Sequence, residues 1–547
     1  MNSEVTLKVN QEALVRNLKF GFTSQVTVLG ELLQNARRAK ASVVAFDYEE
    51  SSHRLTITDD GIGIGDLQQL VTVAESGWDA ETIEREHPYG LGFLAAVYAS
   101  ERITVESGGR RLAFATADLL AFQPLAVEAC DTGPGTRIVL EGLREIPHLE
   151  AVLRHRAMGF PIEVRYNGEP LPRPRAVDGG LKFERTEVGE VCLYGAMPRE
   201  DWTYASDEIA CYLQGLPVYT CGYGGRSERA AIVHLDSTRF LARLPDRDRL
   251  IDEPEAIDAV RAAIKSVALT RLRAKKAQLA PEAFIRGFRS LRHWGAVALL
   301  NDVPFLPAEV LWSITDYPIV PRWDGDGVEG YGTAIPQGTV EAGEIPLAKL
   351  ERMFEDEPGG TVRWVFAWKA DYTLIDADFL DAGHWVHRHV KDLDGVEFDL
   401  EVVSPGKAVP FEPGRWLWGR TVRFCKGYRI TMAEETVEIT DAGLYHCSAE
   451  DAEENGEILI PEGETSGRVV HQVQDFMDEN DQYQEHEADE EQALMQTFIL
   501  AHRSETPEAM LAAVLESARL RDYPALEGRS YRVQIGKEGR VTVRASA

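Results

Sequence analysis

SQVTVLGELLQNARRAK, residues 24–40, is the stretch from which the rest of the 547-residue chain is read. Val28, Leu29, Leu32, Leu33 and Ala36 recur at helical spacing and make an apolar stripe. Glu31 and Asn35 are four residues apart, so a helix stacks them one turn above each other on one face. A carboxylate and a carboxamide on a largely apolar helix are costly if buried without partners. The helix therefore turns both groups to water or holds something that uses both. By itself it favours the plain solvent-facing pair, and the residues on its C-terminal side reverse that preference.

Upstream, residues 5–20 read as a short strand and a helix. Downstream, SVVAFDYEE (42–50) and HRLTITDD (53–60) read as a strand hairpin with alternating β-branched residues in the second arm. Asp59-Asp60-Gly61-Ile62-Gly63-Ile64-Gly65 closes that arm, and its glycines let backbone approach a ligand closely. Asp66 is placed to cap the next helix, DLQQLVTVAES. The polar stretch SGWDAETIEREHP separates it from YGLGFLAAVYAS. There Gly90 and Gly92 precede an apolar helix, an arrangement that aims N–H groups at an anion. Strands follow at ERITVES, RLAFATA and GTRIVLEG, with Gly133-Pro134-Gly135 turning into the last. Each piece alone is weak: a DxGxG is often a turn, and a GxGF is often helix packing. Their order carries the information.

Glu31-Leu32-Leu33-Gln34-Asn35-Ala36, Asp59-Asp60-Gly61-Ile62-Gly63-Ile64, Gly90-Leu91-Gly92-Phe93 and Gly135-Thr136 together resemble the four motifs of the GHKL ATPases. That superfamily groups gyrase, the ninety-kilodalton heat-shock chaperones, histidine kinases and MutL, with MORC proteins beside them. The resemblance covers about residues 1–145, and its first stretch looks most like the chaperone and MORC-like branches. It implies a Bergerat fold, an antiparallel-rich sheet with helices on one face and ATP between helices and lid. By position it implies Glu31 as the general base, Asn35 as the Mg²⁺ ligand and Asp59 as acceptor for the adenine amino group. Gly61 and Gly63 would lend backbone beside the adenine, Thr136 would complete its pocket, and Gly90 and Gly92 would give amides to the triphosphate. Residues 66–89 would be the lid, with Ser76, Gly77 and Trp78 near its middle. The chain departs from the pattern twice. Arg38 stands where the family often has Asp; it could meet phosphate or face solvent, and as a helical charge it is expected to face solvent. His87-Pro88-Tyr89 replaces an earlier glycine and stiffens the lid hinge.

No GxxxxGK[ST] occurs, so a cation for the γ-phosphate must come from elsewhere; in gyrase, MutL and the chaperones the following domain supplies it. A transducer-like domain is expected over 147–276, with PIEVRYNGEPL as a hairpin turning at Asn167-Gly168. EVCLYGA, IACYLQGLPVYT and AAIVHLD are further strands. An Arg-rich turn precedes its long amphipathic helix. Arg247 and Arg249 are the γ-phosphate candidates and Arg243 a third, against a plain salt-bridge cluster with Asp246 and Asp248. The basic helix end RLRAKKAQ is ordinary dipole complementation.

Residues 277–429 read as a middle α/β domain of unknown role. FIRGFRSLRHWGAVALL reads as helical, TVRWVFAWK as strand-like, and the tryptophans of GRWLWGR as core or interface. His384, His387 and His389 lie near Asp376, Asp378 and Asp381, but their spacing matches no standard metal site. Residues 430–502 form an acidic region, expected to be partly disordered, with 20 Asp and Glu against one basic residue, Arg468. Its run 475–491 holds nine acids and no Lys or Arg, and reads as solvated. Residues 503–547 read as a helix capped by Thr506 and a closing β-hairpin.

The whole is expected to be α+β. A net charge of −31 disfavours a general nucleic-acid surface. Six cysteines without a CxxC pair argue against a disulfide framework or zinc ribbon and fit a reducing cytoplasm. No apolar signal core or membrane-length run occurs. The expected function is a cytoplasmic, Mg²⁺-dependent ATPase with slow turnover. Its nucleotide state would drive conformational change or homodimerisation and act, chaperone-like, on a protein client. The alternatives are a DNA-associated clamp of the MutL or MORC kind, and a nucleotide-responsive scaffold or inhibitor that uses the acidic segment.

Overall fold

The principal helix is the second of the chain. A short helix α1 (Gln11–Leu18) opens with the Asn10 side chain accepting the Ala13 N–H at 3.0 Å. Helix α2 (Thr27–Arg38) follows and buries Val28, Leu29, Leu32, Leu33 and Ala36. It ends where Lys40 turns left-handed (φ 56°) and the N–H groups of Lys40 and Ala41 return to the carbonyls of Arg37 and Ala36. That closure satisfies carbonyls the helix would otherwise leave open.

The computed structural model describes the chain apart from residues 1–5, 21–25, 74–76, 79, 87–89, 199–201, 222–228, 244–246, 315–333, 351–359, 412–419, 448–455, 475, 480–481, 518–522, 538–539 and 546–547. The expected start of the principal helix at Ser24, the His87-Pro88-Tyr89 hinge, Ser76, Asp246 and all of GRWLWGR but Arg420 lie outside the described residues. The protein is α+β and divides into two units, residues 1–279 with 289–296, and residues 280–288 with 297–547. No helix among the described residues is long and apolar enough to cross a membrane.

In the first unit, β1 (Val43–Glu49) and β2 (Arg54–Asp59) form the expected hairpin. Val44, Phe46, Leu55 and Ile57 point to one buried face, as period-two alternation requires. Helices α3 (Gln68–Val71), α4 (Ala80–Glu86) and α5 (Gly92–Ala99) come next. Strands β3 (Arg102–Ser107) and β4 (Arg110–Ala115), helix α6 (Thr116–Leu120), β5 (Val127–Ala129) and β6 (Thr136–Glu141) follow. Helix α7 (Leu149–Ala157) then leads to β7 (Glu163–Tyr166) and β8 (Glu169–Pro170), joined through Asn167 and Gly168, both at positive φ. These strands make one eight-stranded sheet in the order β5-β4-β3-β6-β2-β1-β7-β8, antiparallel except for β1 with β7. The sheet therefore does not stop near residue 146. The hairpin 163–170 has the expected form but extends the first sheet, because β7 pairs in parallel with β1. Ile103, Val105, Ile138 and Leu140 continue the buried face under α2 and α5.

A second sheet in this unit holds β9 (Glu184–Thr186), β10 (Gly189–Cys192), β11 (Ile209–Leu213), β12 (Leu216–Cys221) and β13 (Ala231–Leu235), in the order β12-β11-β13-β10-β9. The long helix α8 (Glu253–Gln278) starts with Pro254 in its first turn, where a missing N–H costs nothing. Its Arg271 reaches back to Met197 O (3.0 Å) and Glu184 (3.1 Å). On α2, Gln34 Nε2 donates to Gln214 O at 3.0 Å, and a Cβ at Gly30 would stand 2.8 Å from Arg156 Nη1. Gly30 therefore lets α2 approach Arg156 of α7 closely.

The second unit corrects three expectations. TVRWVFAWK is the helix Gly360–Lys369, not a strand: Val362, Val365 and Phe366 are buried at helical spacing despite their β-type composition. No domain break falls at 429, because Gly427–Met432 pairs with Phe398–Val403 and both join one core with Leu374 and Leu459. The acidic region is folded over much of its length. Glu485–Arg503 is a helix whose Ala488, Met495 and Ile499 pack with Phe476, Val470 and Ile458. Glu485, Asp489 and Glu490 are exposed on that helix while Glu491 is buried, a division that a count of charge cannot separate from a solvated run. Thr506 caps the next helix, its Oγ1 accepting the Ala509 N–H at 3.2 Å, and Tyr531–Ile535 pairs with Val541–Ala545 in the closing hairpin.

Candidate functional site

Three neighbouring strands of the first sheet end together. The register sets Asp59 at the end of β2 opposite Thr136 at the start of β6, and Thr136 opposite Ser107 at the end of β3. Asp59 Oδ1 accepts the Gly61 N–H at 2.9 Å. Burial raises the Asp59 carboxyl above its ordinary range; the Gly61 N–H opposes that and the Asp60 charge adds to it. The neighbouring Asp60 has another use. It accepts the N–H groups of Ser42 (2.7 Å) and Val43 (3.0 Å) and so ties the glycine loop to the start of β1. The pair of aspartates thus splits into one half-buried carboxylate and one structural clamp.

Ser107 was not legible as a site residue in the sequence. It is fully buried, accepts the Ile64 N–H (2.9 Å), donates to Gly135 O (2.8 Å) and lies 3.3 Å from Thr136 Oγ1. One hydroxyl therefore fixes the glycine loop against the turn before β6. The only sequence signal is a polar residue ending an otherwise apolar-alternating strand. Gly135 takes φ +92°, and a Cβ there would stand 1.9 Å from Asp59 O. Gly63 takes φ +73°, with Ser107 Oγ 2.8 Å from where a Cβ would be. At both places only glycine fits.

Across from these strand ends lies α2. Glu31 is buried, 6 % exposed, while Asn35 one turn on is partly exposed. The Glu31 carboxylate lies against the first residue of α5: a Cβ at Gly92 would stand 2.3 Å from Glu31 Oε2. Gly90 precedes it at φ +63° and is partly exposed. Arg247 comes from the loop before α8. Its Nε stands 2.8 Å from Glu31 Oε1, with the two side chains only 12 % and 7 % exposed. The geometry is that of a charge contact and not of an aligned hydrogen bond, since Nε has no hydrogen-bond partner among the described residues. The loop is closed by the Arg243 N–H on Arg249 O (2.8 Å) and by the Arg247 N–H on Arg243 O (2.9 Å). Of the three arginine candidates, the structure brings Arg247 to Glu31. Arg243 and Arg249 are exposed, and no described contact ties their side chains to Glu31. Asp248 is exposed too, and among the described residues Arg247 is paired with the buried Glu31.

Arg38 corrects the sequence reading most plainly. Its side chain is 2 % exposed, not solvent-facing, and its Nε lies 2.9 Å from Glu86 Oε2 at the end of α4. Arg37 joins it: Nη1 is 2.9 Å from Glu86 Oε1, Nη2 pairs with Oε2, and Nε donates to Gln34 Oε1 at 2.9 Å. Burial pulls the Glu86 carboxyl up, but Arg37 and then Arg38 outweigh it and hold it below the ordinary carboxylate range. Burial, and next the Arg247 charge, pull Arg38 below its ordinary value.

His384, His387 and His389 of the second unit sit in and beside a short helical turn. Trp385–Arg388 is a 3₁₀ turn, His384 is buried, and His387 Nε2 lies 3.0 Å from Asp381 O. Among the described residues no cluster of three or more His, Cys, Asp or Glu is arranged to hold a metal ion. Compared with known protein families and curated proteins, the chain matches no family model and no curated protein.

Proposed function

We propose that the first sheet with α2 and α5 is a Bergerat-type nucleotide fold, and that the protein is a GHKL-like ATPase. The observation that carries this reading is the convergence of separated motifs. Asp59 and Thr136 share one row of strand ends, Glu31 and Asn35 share one face of α2, and Gly92 lies directly on Glu31. In this reading Asp59 accepts the adenine amino group, beside the backbone of Gly61 and Gly63 and the hydroxyl of Thr136. Gly90 and Gly92 turn amides of the α5 N-terminus to the phosphates, where N–H groups and the helix dipole favour negative charge. Asn35 suits Mg²⁺: it offers one hard oxygen and is partly exposed, and this ion usually takes few protein ligands besides phosphate oxygens and water. Bound there, Mg²⁺ would neutralise charge on the phosphates.

Glu31 is the water-orienting base, and Arg247 holds it at rest. When Arg247 turns to the terminal phosphate, the carboxylate is released to the attacking water and the loop before α8 moves with it. That coupling turns nucleotide state into movement of the segment behind the first sheet, the basis for action on a protein client. Leu7, Val9 and Leu14 near the N-terminus are exposed apolar residues, which an ATP-dependent homodimer would cover.

Calorimetry with ATP tests the reading, together with phosphate release from the same preparation. Asp59→Asn should cripple ATP binding, since a charged buried hydrogen bond is worth about 1.5–3 kcal/mol. Glu31→Ala should keep binding and lose turnover by roughly 10²–10⁴-fold. A wild-type chain that binds no ATP, or an Asp59→Asn chain within twofold of wild type, refutes the assignment.

A further inference from the structure

The end of α2 holds more positive charge than its described partners neutralise. Glu31, Asn35 and Arg38 follow one another at intervals of four and three residues, so α2 presents them on one face. Around that face stand the guanidiniums of Arg37, Arg38 and Arg247 against the carboxylates of Glu31 and Glu86. Each nitrogen of the Arg37 guanidinium has a partner in Glu86 or Gln34. Arg38 differs: its Nη2 is buried and has no hydrogen-bond partner among the described residues. Arg247 is close enough for its charge to act on Arg38. A buried donor left unpaired and a cation left uncompensated both cost stability. A guanidinium fork is the side chain best matched to a phosphate oxyanion.

We propose that Arg38 is a phosphate-binding residue of this site, and that Glu86 is the positioning residue that aims it. The unpartnered Nη2 of Arg38 takes an oxygen of the terminal phosphate while Nε stays on Glu86. Bound phosphate is thereby linked to α4, since Glu86 is the last residue of that helix. Arg38 and Arg247 would approach the phosphate from α2 and from the loop before α8. The proposal rests on the ATP reading and adds a ligand that reading did not include.

The test measures binding of ATP, ADP and inorganic pyrophosphate to the full-length wild type, Arg38→Ala, Arg38→Lys and Glu86→Gln by calorimetry. Hydrogen exchange of α4 is followed with and without each ligand. Losing a charged hydrogen bond should lower ATP affinity by about ten- to a hundredfold in Arg38→Ala. ADP affinity should stay within about twofold, because ADP lacks the contacted group. Arg38→Lys keeps the charge without the fork and should fall between. ATP should slow exchange of α4 in wild type and fail to do so in Arg38→Ala, and Glu86→Gln should weaken ATP more than ADP. A clasp with only a structural role predicts otherwise: α4 loosens equally with and without ATP, and ATP and ADP affinities move together. That result overturns the proposal. If wild type binds neither nucleotide, the ATP reading fails and pyrophosphate decides alone. Pyrophosphate binding that Arg38→Ala abolishes keeps the oxyanion site. No pyrophosphate binding, or equal binding by wild type and variant, removes it.

Discussion

Arg247→Ala is the sharpest test of how the first unit works, with Arg249→Ala as its internal control. Both arginines belong to one loop, two residues apart, but only Arg247 is carried to Glu31, at 2.8 Å and 12 % side-chain exposure. Its gain on meeting a terminal phosphate is that of a charged hydrogen bond, about 1.5–3 kcal/mol. Against that stands the pair it must leave, whose partner is buried and would otherwise stay uncompensated. The net stabilisation of the reacting state should therefore sit at the low end, about 1.4 kcal/mol, or roughly tenfold in rate. Arg247→Ala should slow ATP turnover by about that factor and leave ADP affinity nearly unchanged. Arg249→Ala should turn over at the wild-type rate, since its side chain is exposed and its backbone carbonyl, which closes the loop, survives the substitution. Phosphate release under saturating ATP and ADP calorimetry give both numbers. Unchanged turnover in Arg247→Ala refutes the coupling of that loop to the phosphate. Equal slowing in both variants would show that the loop acts as a scaffold and not through one guanidinium.

Three other contacts give measurable outcomes. Gly135→Ala places a Cβ 1.9 Å from Asp59 O at φ +92°, so the first sheet should lose about 1–3 kcal/mol or more and the melting temperature should fall clearly; an unchanged melt would show that the turn relaxes freely. Ala488→Asp puts a charge into the core beside Phe476 and Met495 and should lower the melting temperature of the second unit, whereas a solvated acidic run would tolerate it. His384 is pushed down to about 4 by burial, from an ordinary 6.5. The unfolded chain therefore binds the proton first, so stability is full above about pH 6.5 and is lost as pH falls toward 4. His384→Asn should flatten that slope in a pH series of thermal melts, and an unaltered slope would assign it to other groups.

How far the sequence reached depends on whether a feature is local. The helix face of Glu31 and Asn35, the glycine loop after Asp59 and the turn at Gly135 are local, and each element lies where its pattern puts it. The distant partners were not visible. Arg38 reads as a solvated helical charge because Glu86, the acid that buries it, lies 48 residues on in a polar stretch. Ser107 has no spacing to mark it, since its partners come from Ile64 and Gly135 on either side in the chain. The parallel pairing of β7 with β1 is likewise a long-range contact that the hairpin 163–170 does not announce. In the helix Gly360–Lys369, β-branched and aromatic content outweighed the buried spacing of Val362, Val365 and Phe366. An eye for period over composition would have found that element.

The charge distribution bears on the proposed site. A chain at −31 should repel a nucleotide at long range, and the 430–502 window alone holds 20 acids. At physiological salt, however, charges beyond about 8 Å of a ligand are largely screened. What a ligand meets at α2 is local: three guanidiniums, two carboxylates, and the amides that open α5. Partial burial strengthens that excess where bulk water would have weakened it. Overall acidity and an anion site are therefore compatible. On the proposed reading, the acidity bears on long-range encounter, while Arg38 and Arg247 would hold the anion. Added salt should accordingly change the rate of nucleotide association more than its release, and stopped-flow traces at two ionic strengths would show it. Release that quickens steeply with salt would mean that the holding charges are exposed, against the observed burial of Arg38 and Arg247.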